Sequence, residues 1–314
     1  MNARLWRLYF LGLCTWIIAF VFALNFGIPA DSPRDLISQL RFPRALLASA
    51  VGIGLSVAGA VLQALFSNPL CEPYTLGISS GAALGAVLAA ALGINFIFFG
   101  ITGSAFVGAL LFGVILYFIS RHRDTNNLGL LMAGVMLGFL GSSLVALWMA
   151  LADPNGIQSA LFWLLGDLSR ARPRGAFFSL FAVLSLTLAA WGSWRKLDGL
   201  LMGEQDALTL GIPVPRVRTK MLILVSLLIA VCVSAAGMIG FIGLVIPHFA
   251  RRAVGSLHQK LIPLCAIWGA AFLTFSDALS RSLFRPYELP VGVLTALLGA
   301  PLFLLVMFKR QGVK

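Results

Sequence analysis

Charged side chains are scarce in this chain, since Asp, Glu, Lys and Arg make up only 11% of its 314 residues. Soluble domains average about 25% charged residues, whereas apolar residues here reach 60% and the mean hydropathy is +0.96. This composition excludes a soluble globular protein and indicates an integral membrane protein. Apolar runs of around 20 residues recur, which is the length of a spanning helix and differs from the alternation of a β-barrel.

Metal-binding and nucleophilic side chains are also few. The 4 cysteines and 3 histidines lie far apart, so no zinc or disulfide spacing can be assembled, and we expect the cysteines to be buried thiols. The chain contains no Gly-x-x-x-x-Gly-Lys-Ser/Thr phosphate loop, the motif that would let it hydrolyse a nucleotide. We therefore expect a protein that is not an enzyme and binds no cofactor of its own.

The formal net charge of +12 raises the question of a nucleic-acid partner. The basic residues, however, stand singly or in pairs at the ends of apolar runs, which is the signal that orients a protein in a membrane. We therefore expect a lipid membrane as the partner and no nucleic acid.

The apolar runs predict an all-α polytopic protein with about ten membrane helices. One segment is ambiguous, because 30 uncharged residues lie between Lys220 and Arg251, whereas two straight spans need about 40. We interpret it as two short helices, and the segment 157–165 as an interfacial helix. The predicted spans are 8–26, 45–66, 76–93, 96–120, 128–151, 175–194, the two short helices within 220–251, 261–279 and 291–308.

The distribution of basic residues supports ten spans. With ten spans both termini lie on one side, which then carries 15 Lys and Arg residues against 8 on the other side. With nine spans the counts would be 11 and 12. The positive-inside rule favours the first arrangement, so we expect both termini in the cytoplasm.

The longest polar interruption is the loop 195–220, which separates two apolar runs. Residues 202–210 predict one short helix that ends at Gly211, with Pro213 and Pro215 just beyond. A short helix held outside the membrane between two spans is suited to docking a soluble partner.

Four sequence motifs, found in this order, indicate a family resemblance over residues 41–310. They are RFPRALLASAVGIGLSVAGAVLQALFSNPLCEPYTLGISSGAALGA, GEQDALTLG, GFIGLVIPHFARR and RPYELPVGVLTALLGAP. The chain resembles the permeases of type II ATP-binding-cassette (ABC) importers, which carry vitamin B12, haem or iron–siderophore complexes. The resemblance implies a single permease domain over 1–314 with ten spans, in a bacterial inner membrane.

The same resemblance implies the partners. The permease works as a homodimer and binds two copies of a cytoplasmic ATPase, which holds ATP and Mg. A periplasmic or lipid-anchored binding protein delivers the chelate. The four motifs do not distinguish iron–siderophore, haem and cobalamin as cargo.

Two sets of residues match functional positions of the family. The coupling motif of the loop is matched by Gly203, Glu204, Ala207, Leu210 and Gly211. Ala207 and Leu210 would offer an apolar face, and Glu204 would cap the helix or pair with a basic group of the ATPase, although an ordinary interfacial helix has the same pattern. Positions that receive carboxylates of the binding protein are matched by Arg41, Arg44 and Arg285, and headgroup anchoring is the alternative.

The resemblance also implies a translocation path between the fifth and tenth spans and their dimer mates. Its candidate residues are Gly134, Gly138, Ser142 and Thr295. Helix packing explains small residues in the fifth span at least as well.

Two other classes of membrane protein remain as alternatives. A secondary transporter driven by an ion gradient would need carboxylates inside the membrane, and Asp277 is the candidate. A local ion pair with Arg281, four residues away, accounts for Asp277 more simply. A membrane-embedded enzyme would need clustered catalytic groups, which the sequence does not show.

Overall fold

The computed structural model describes residues 3–26, 37–91, 100–122, 127–152, 154–284 and 287–311. Within these ranges every regular element is a helix and there is no β-strand, which confirms the all-α prediction. Two short turns of other helical types supplement the α-helices, a π-helical turn at Ile37–Arg41 and a 3₁₀ turn at Pro73–Leu76.

Thirteen α-helices are found in the described ranges. In chain order they are α1 Ala3–Asn25, α2 Phe42–Leu65, α3 Ile78–Ala91, α4 Gly100–Ser120, α5 Asn127–Leu151, α6 Pro154–Leu164, α7 Pro173–Trp191, α8 Trp194–Leu200, α9 Glu204–Thr209, α10 Val214–Ala236, α11 Ile242–Val254, α12 His258–Ser280 and α13 Val291–Gln311.

Seven of these helices are long and apolar enough to cross a membrane, namely α1, α2, α4, α5, α7, α10 and α12. Two shorter apolar helices, α3 and α13, and the 13-residue α11 bring the set to ten, which agrees with the predicted number. Helix α6 has only 11 residues and is too short to span, as the sequence predicted for this segment.

The segment between Lys220 and Arg251 differs from the prediction in one respect. It was predicted as two short helices, but α10 is a full-length helix of 23 residues and only α11 is short. Helix α10 gains its length by beginning at Val214, six residues before Lys220, with a proline in its first turn. The prediction was wrong because it ended the span at a charged residue, whereas long basic side chains at a helix end reach the interface.

Helix α2 lies at the centre of the bundle and is buried along its whole apolar length. It packs against α7, α10, α11 and α12. At the crossing with α11, a Cβ atom on Gly59 would overlap the backbone carbonyl of Gly243. Small residues therefore allow the two backbones to approach closely, as is common between membrane helices.

Buried polar groups join the end of α2 to α11 and to the connection 66–77. The Gln63 side-chain amide donates to the carbonyl oxygens of Cys71 (3.2 Å) and Gly243 (3.1 Å). The Arg251 guanidinium in turn donates to the Gln63 side-chain oxygen. The Gly243 carbonyl lacks its helical donor, because the residue four positions on is Pro247. Gln63 therefore satisfies this carbonyl inside the protein, as a membrane interior requires.

The bundle has two polar ends, which we name the loop face and the far face. The loop face carries α8, α9, the first turns of α10 and the beginning of α12. The far face carries the beginnings of α2 and α7 and the end of α12, where Arg44 contacts Asp277.

Candidate functional site

The predicted docking helix of the loop is α9, Glu204–Thr209. It is shorter than the predicted 202–210, because glycines flank it in backbone conformations that other residues rarely adopt. Gly203 has φ +104° and Gly211 has φ +76°, in the region that favours glycine. The two glycines therefore delimit a single compact helix between α8 and α10.

The two faces of α9 differ in burial. Ala207 is fully buried, and the structure corrects the expectation that it forms part of an outward apolar face. Leu210, just after α9, is 61% exposed, as expected. Leu208 within α9 and Met202 just before it are also outward, with exposures of 56% and 62%. Ala207 points inward because α9 packs on its neighbours α8 and α10. The result is an exposed apolar surface on a helix anchored from behind.

Glu204 of the coupling motif forms an ion pair with Arg218 of α10 in the same chain. The Glu204 carboxylate is about half exposed, whereas the Arg218 side chain is largely buried. This pair ties the beginning of α9 to the first turns of α10. Glu204 therefore has an internal partner, which the sequence prediction did not include.

A second contact ties the loop to the bundle through α12. The Asp198 Oδ1 atom accepts a hydrogen bond from the backbone N–H of His258 and lies 2.7 Å from His258 Nδ1. Trp191 Nε1 donates to the carbonyl oxygen of Gln259 nearby. Asp198 and His258 are 60 residues apart, so no spacing in the sequence could have indicated this contact.

The far face holds a compact charge cluster at the other end of α12. Arg44 Nε lies 2.9 Å from Asp277 Oδ1, and Arg44 Nη1 lies 2.9 Å from Glu288 Oε2. Arg281 Nη2 lies 3.2 Å from Asp277 Oδ2, which confirms the predicted local pair. The sequence prediction missed that Arg44 shares this carboxylate. Helix α12, about 34 Å long at 1.5 Å per residue, thus connects this cluster to the Asp198 contact on the loop face.

The three predicted docking arginines have different surroundings. Arg44 belongs to the charge cluster, with its side chain only 11% exposed, beside a cavity of about 380 Å³. Arg41 Nη1 donates to the carbonyl oxygens of Leu24 (3.3 Å) and Phe26 (2.8 Å) at the end of α1. Arg285 lies outside the described residues. The docking role of these arginines stays a prediction.

The candidate path residues are mostly packed in this subunit. Gly134 is buried against Leu76, and a Cβ on Gly138 would contact Gly77. Ser142 is exposed, with its hydroxyl 3.4 Å from that of Ser80. The Thr295 side chain is fully buried and donates to the Gly292 carbonyl oxygen. The path assignment therefore stays a prediction as well.

Glu72 is a partly buried residue that the sequence interpretation did not consider as a membrane carboxylate. It borders a cavity of about 470 Å³ whose wall includes Tyr74, Gly240 and, from α13, Gly292 and Leu297. Glu72 Oε2 is buried and has no hydrogen-bond partner among the described residues. The only sequence signal was an acidic residue beside a proline in a connection between two apolar runs.

Comparisons with known proteins agree with this architecture. The model of the FecCD transport family matches residues 6–309. The cobalamin import system permease protein BtuC of Halobacterium salinarum is 38% identical over 297 residues, which cover 94% of this chain and 79% of that protein. The hemin transport system permease protein HmuU of Yersinia pestis is 35% identical over 278 residues, covering 87% and 83%.

A solved structure, described as an inward-facing conformation of a metal-chelate type ABC transporter, superposes with a TM-score of 0.89. It is 32% identical in sequence, and the match covers 96% of this chain and 99% of that one. The long apolar helices and these relatives together show a multi-pass membrane protein. The chain belongs to the FecCD transport family and is a permease of the ABC importer type for metal chelates.

Proposed function

We propose that this permease is the membrane-spanning part of an ATP-driven importer that carries a metal chelate from the periplasm into the cytoplasm. The names of its relatives, which refer to cobalamin and to hemin, support cobalamin and haem as cargo classes, with iron–siderophore complexes as a third. The loop face is the cytoplasmic face, and both termini lie there, in a bacterial inner membrane. ATP and Mg²⁺ bind to a partner ATPase and not to this chain.

The observation that carries the proposal is the exposed apolar surface of α9. Leu208 projects from this short helix, and Met202 and Leu210 are exposed just before and just after it. The helix is held from behind by buried Ala207 and by the Glu204–Arg218 pair. Apolar residues at a polar membrane face are stabilised when a protein partner covers them. Two copies of the permease would each present this surface, with Gly203 to Gly211 as the coupling element, to one of two ATPase subunits.

The connections of α9 suggest how movement reaches the far face. The loop is bonded to the beginning of α12 through Asp198 and His258. The other end of α12 is bonded to α2 through Asp277 and Arg44. Displacement of α9 by the ATPase would therefore move α12 and the far-face cluster. Carboxylates of a delivered binding protein would meet Arg41, Arg44 and Arg285 on that face.

The test is a double substitution of the exposed leucines, Leu208→Glu with Leu210→Glu. Burying two carboxylates in an apolar interface should lower copurification of the ATPase and uptake of radiolabelled ferric siderophore, haem or cobalamin at least tenfold, since interface anchors contribute about 2 kcal/mol or more each. The matched control is Leu257→Glu, at an exposed leucine of the loop face outside α9. This variant should retain both ATPase copurification and uptake.

Unchanged copurification and uptake in the double variant, with normal membrane levels, would contradict the coupling assignment. Glu204→Arg is less informative, because the new arginine would face Arg218 inside the same chain. A loss of uptake in that variant would report a damaged loop as readily as a lost partner.

The second candidate function is ion-gradient-driven transport, and Glu72 is the observation in its favour. Asp277 is occupied by two arginines, whereas Glu72 forms no ion pair with a described residue and borders a cavity at α13. A carboxylate inside a membrane protein is a candidate ion or proton site.

A further inference from the structure

A basic groove lies on the loop face between the last turn of α4 and the first turns of α10. It is a cavity of about 710 Å³. The lining residues that matter here are Tyr117, Arg121, Arg216, Thr219, Lys220 and Ile223.

Three cations of the groove are not neutralised within the described protein. Arg121, Arg216 and Lys220 form no ion pair with any described residue, whereas the fourth, Arg218, pairs with Glu204. Arg216 also lies in the first turn of α10, where the helix dipole places partial positive charge. Helix N-termini and basic side chains together favour a phosphate group.

Hydrogen bonds position the groove side chains for such a ligand. Arg121 Nη1 donates to the Tyr117 hydroxyl oxygen at 3.1 Å, and its guanidinium carbon lies 5.8 Å from the centre of the same ring. The Tyr117 hydroxyl hydrogen therefore remains available for an oxygen acceptor. Lys220 Nζ is 3.4 Å from the Ser193 hydroxyl, which holds its ammonium group at the loop side of the groove.

The groove opens directly onto apolar helix surface. Ile223 lies in its wall, one turn above Lys220, and Phe118 is exposed on α4 beside Tyr117. Further along α4, Leu111 and Val114 are exposed as well. A ligand that fills the groove would therefore meet cations at one end and a lipid-facing hydrocarbon surface at the other.

We propose that the basic groove binds the phosphate headgroup of an anionic phospholipid, whose acyl chains lie along the exposed surface of α4 and α10. Basic pockets between membrane helices commonly hold anionic headgroups. A soluble phosphate compound would use the cations but would leave the adjoining apolar surface without a function. This site is separate from the apolar surface of α9 and does not depend on the cargo.

The experiment uses the full-length permease in neutral detergent, with bound phosphatidylglycerol and phosphatidylcholine counted by native mass spectrometry. We expect the unmodified protein to bind phosphatidylglycerol roughly a hundredfold more tightly than phosphatidylcholine. The triple variant Arg121→Gln, Arg216→Gln and Lys220→Gln should bind phosphatidylglycerol roughly a hundredfold more weakly than the unmodified protein does, because each cation contributes about fivefold to the affinity. Its binding of phosphatidylcholine should not change.

The matched control is Arg170→Gln, Arg172→Gln and Arg174→Gln, which removes three exposed charges from the far face. This control variant should bind phosphatidylglycerol as tightly as the unmodified protein does. Equal loss in both triple variants, or no lipid preference in the unmodified protein, would overturn the proposal. If the groove triple variant does not fold, Arg216→Gln alone should weaken phosphatidylglycerol about fivefold, and no weakening would overturn it.

Two competition experiments identify the ligand of the groove. Millimolar glycerol phosphate should leave the lipid bound, and displacement would assign the groove to a soluble phosphate compound instead. Saturating partner ATPase should also leave the lipid bound. Displacement by the ATPase would make the groove part of the protein interface and would overturn the lipid assignment.

Discussion

The charge cluster at the far end of α12 allows a stability prediction with a magnitude. Asp277 is completely buried and lies within ion-pair distance of Arg44 and Arg281, whose side chains are 11% and 12% exposed. Asp277→Asn keeps the shape of the side chain and removes its charge, so two largely buried guanidinium groups lose their shared anion. Removing one partner from a buried ion pair costs about 3–5 kcal/mol.

Glu288→Gln is the matched comparison, because Glu288 contacts the same guanidinium but is 53% exposed. Exposed ion pairs contribute about 0–1 kcal/mol. The two variants therefore remove one carboxylate charge each from Arg44 and differ mainly in burial. We expect Asp277→Asn to be several kcal/mol less stable than Glu288→Gln.

The assay is thermal unfolding in detergent followed with a thiol-reactive fluorophore, since Cys71, Cys232 and Cys265 are buried and become reactive when the bundle opens. A loss of 3–5 kcal/mol corresponds to a fall in the unfolding midpoint on the order of 10 °C. The additional change Arg44→Gln should restore part of the loss, because it removes a largely buried cation that has lost one of its two carboxylate partners. Equal midpoints for Asp277→Asn and Glu288→Gln would refute the reasoning.

Two further predictions concern α2 and Glu72. Gly59→Ala should lower the unfolding midpoint by several degrees, because the new methyl group overlaps the Gly243 carbonyl and overpacking costs about 1–3 kcal/mol. The control is Gly175→Ala, whose new methyl group would have no neighbouring atom within 4 Å and should leave the midpoint unchanged. Equal shifts in the two variants would contradict the packing argument. Glu72→Gln should retain ATP-dependent uptake in proteoliposomes that contain all partners. Loss of uptake in that variant, with uptake in the unmodified protein driven by an imposed ion gradient without ATP, would favour the second candidate function.

The sequence predicted most of the spans well. The predicted fifth span, 128–151, agrees with α5 within one residue, because polar residues bound an uninterrupted apolar run. The error at α10 came from a different cause. Arg216, Arg218 and Lys220 belong to the helix, and helical hydrogen bonding does not stop where apolar side chains stop.

The coupling loop shows how far a motif can be interpreted. The motif correctly predicted a short helix in the loop and the exposure of Leu210, whereas the docking role of the helix stays a prediction. It did not predict that Ala207 is buried, because a six-residue helix has no periodicity long enough to show which side packs. Ala207 is buried by α8 and α10, and this depends on how those helices fold back. The pairing of Glu204 with Arg218 across 14 residues depends on the same fold.

By itself the sequence determined the membrane class, the helical architecture, the number of spans and the family resemblance. Each of these follows from composition, from apolar run length or from contiguous motifs, which are local properties of the chain. Only the tertiary structure decided that Arg44 contacts Asp277 across 233 positions, that Asp198 contacts His258, and that Glu72 borders α13. These contacts arise where distant helices cross, and helix packing in a membrane depends on close backbone approach that no single segment encodes.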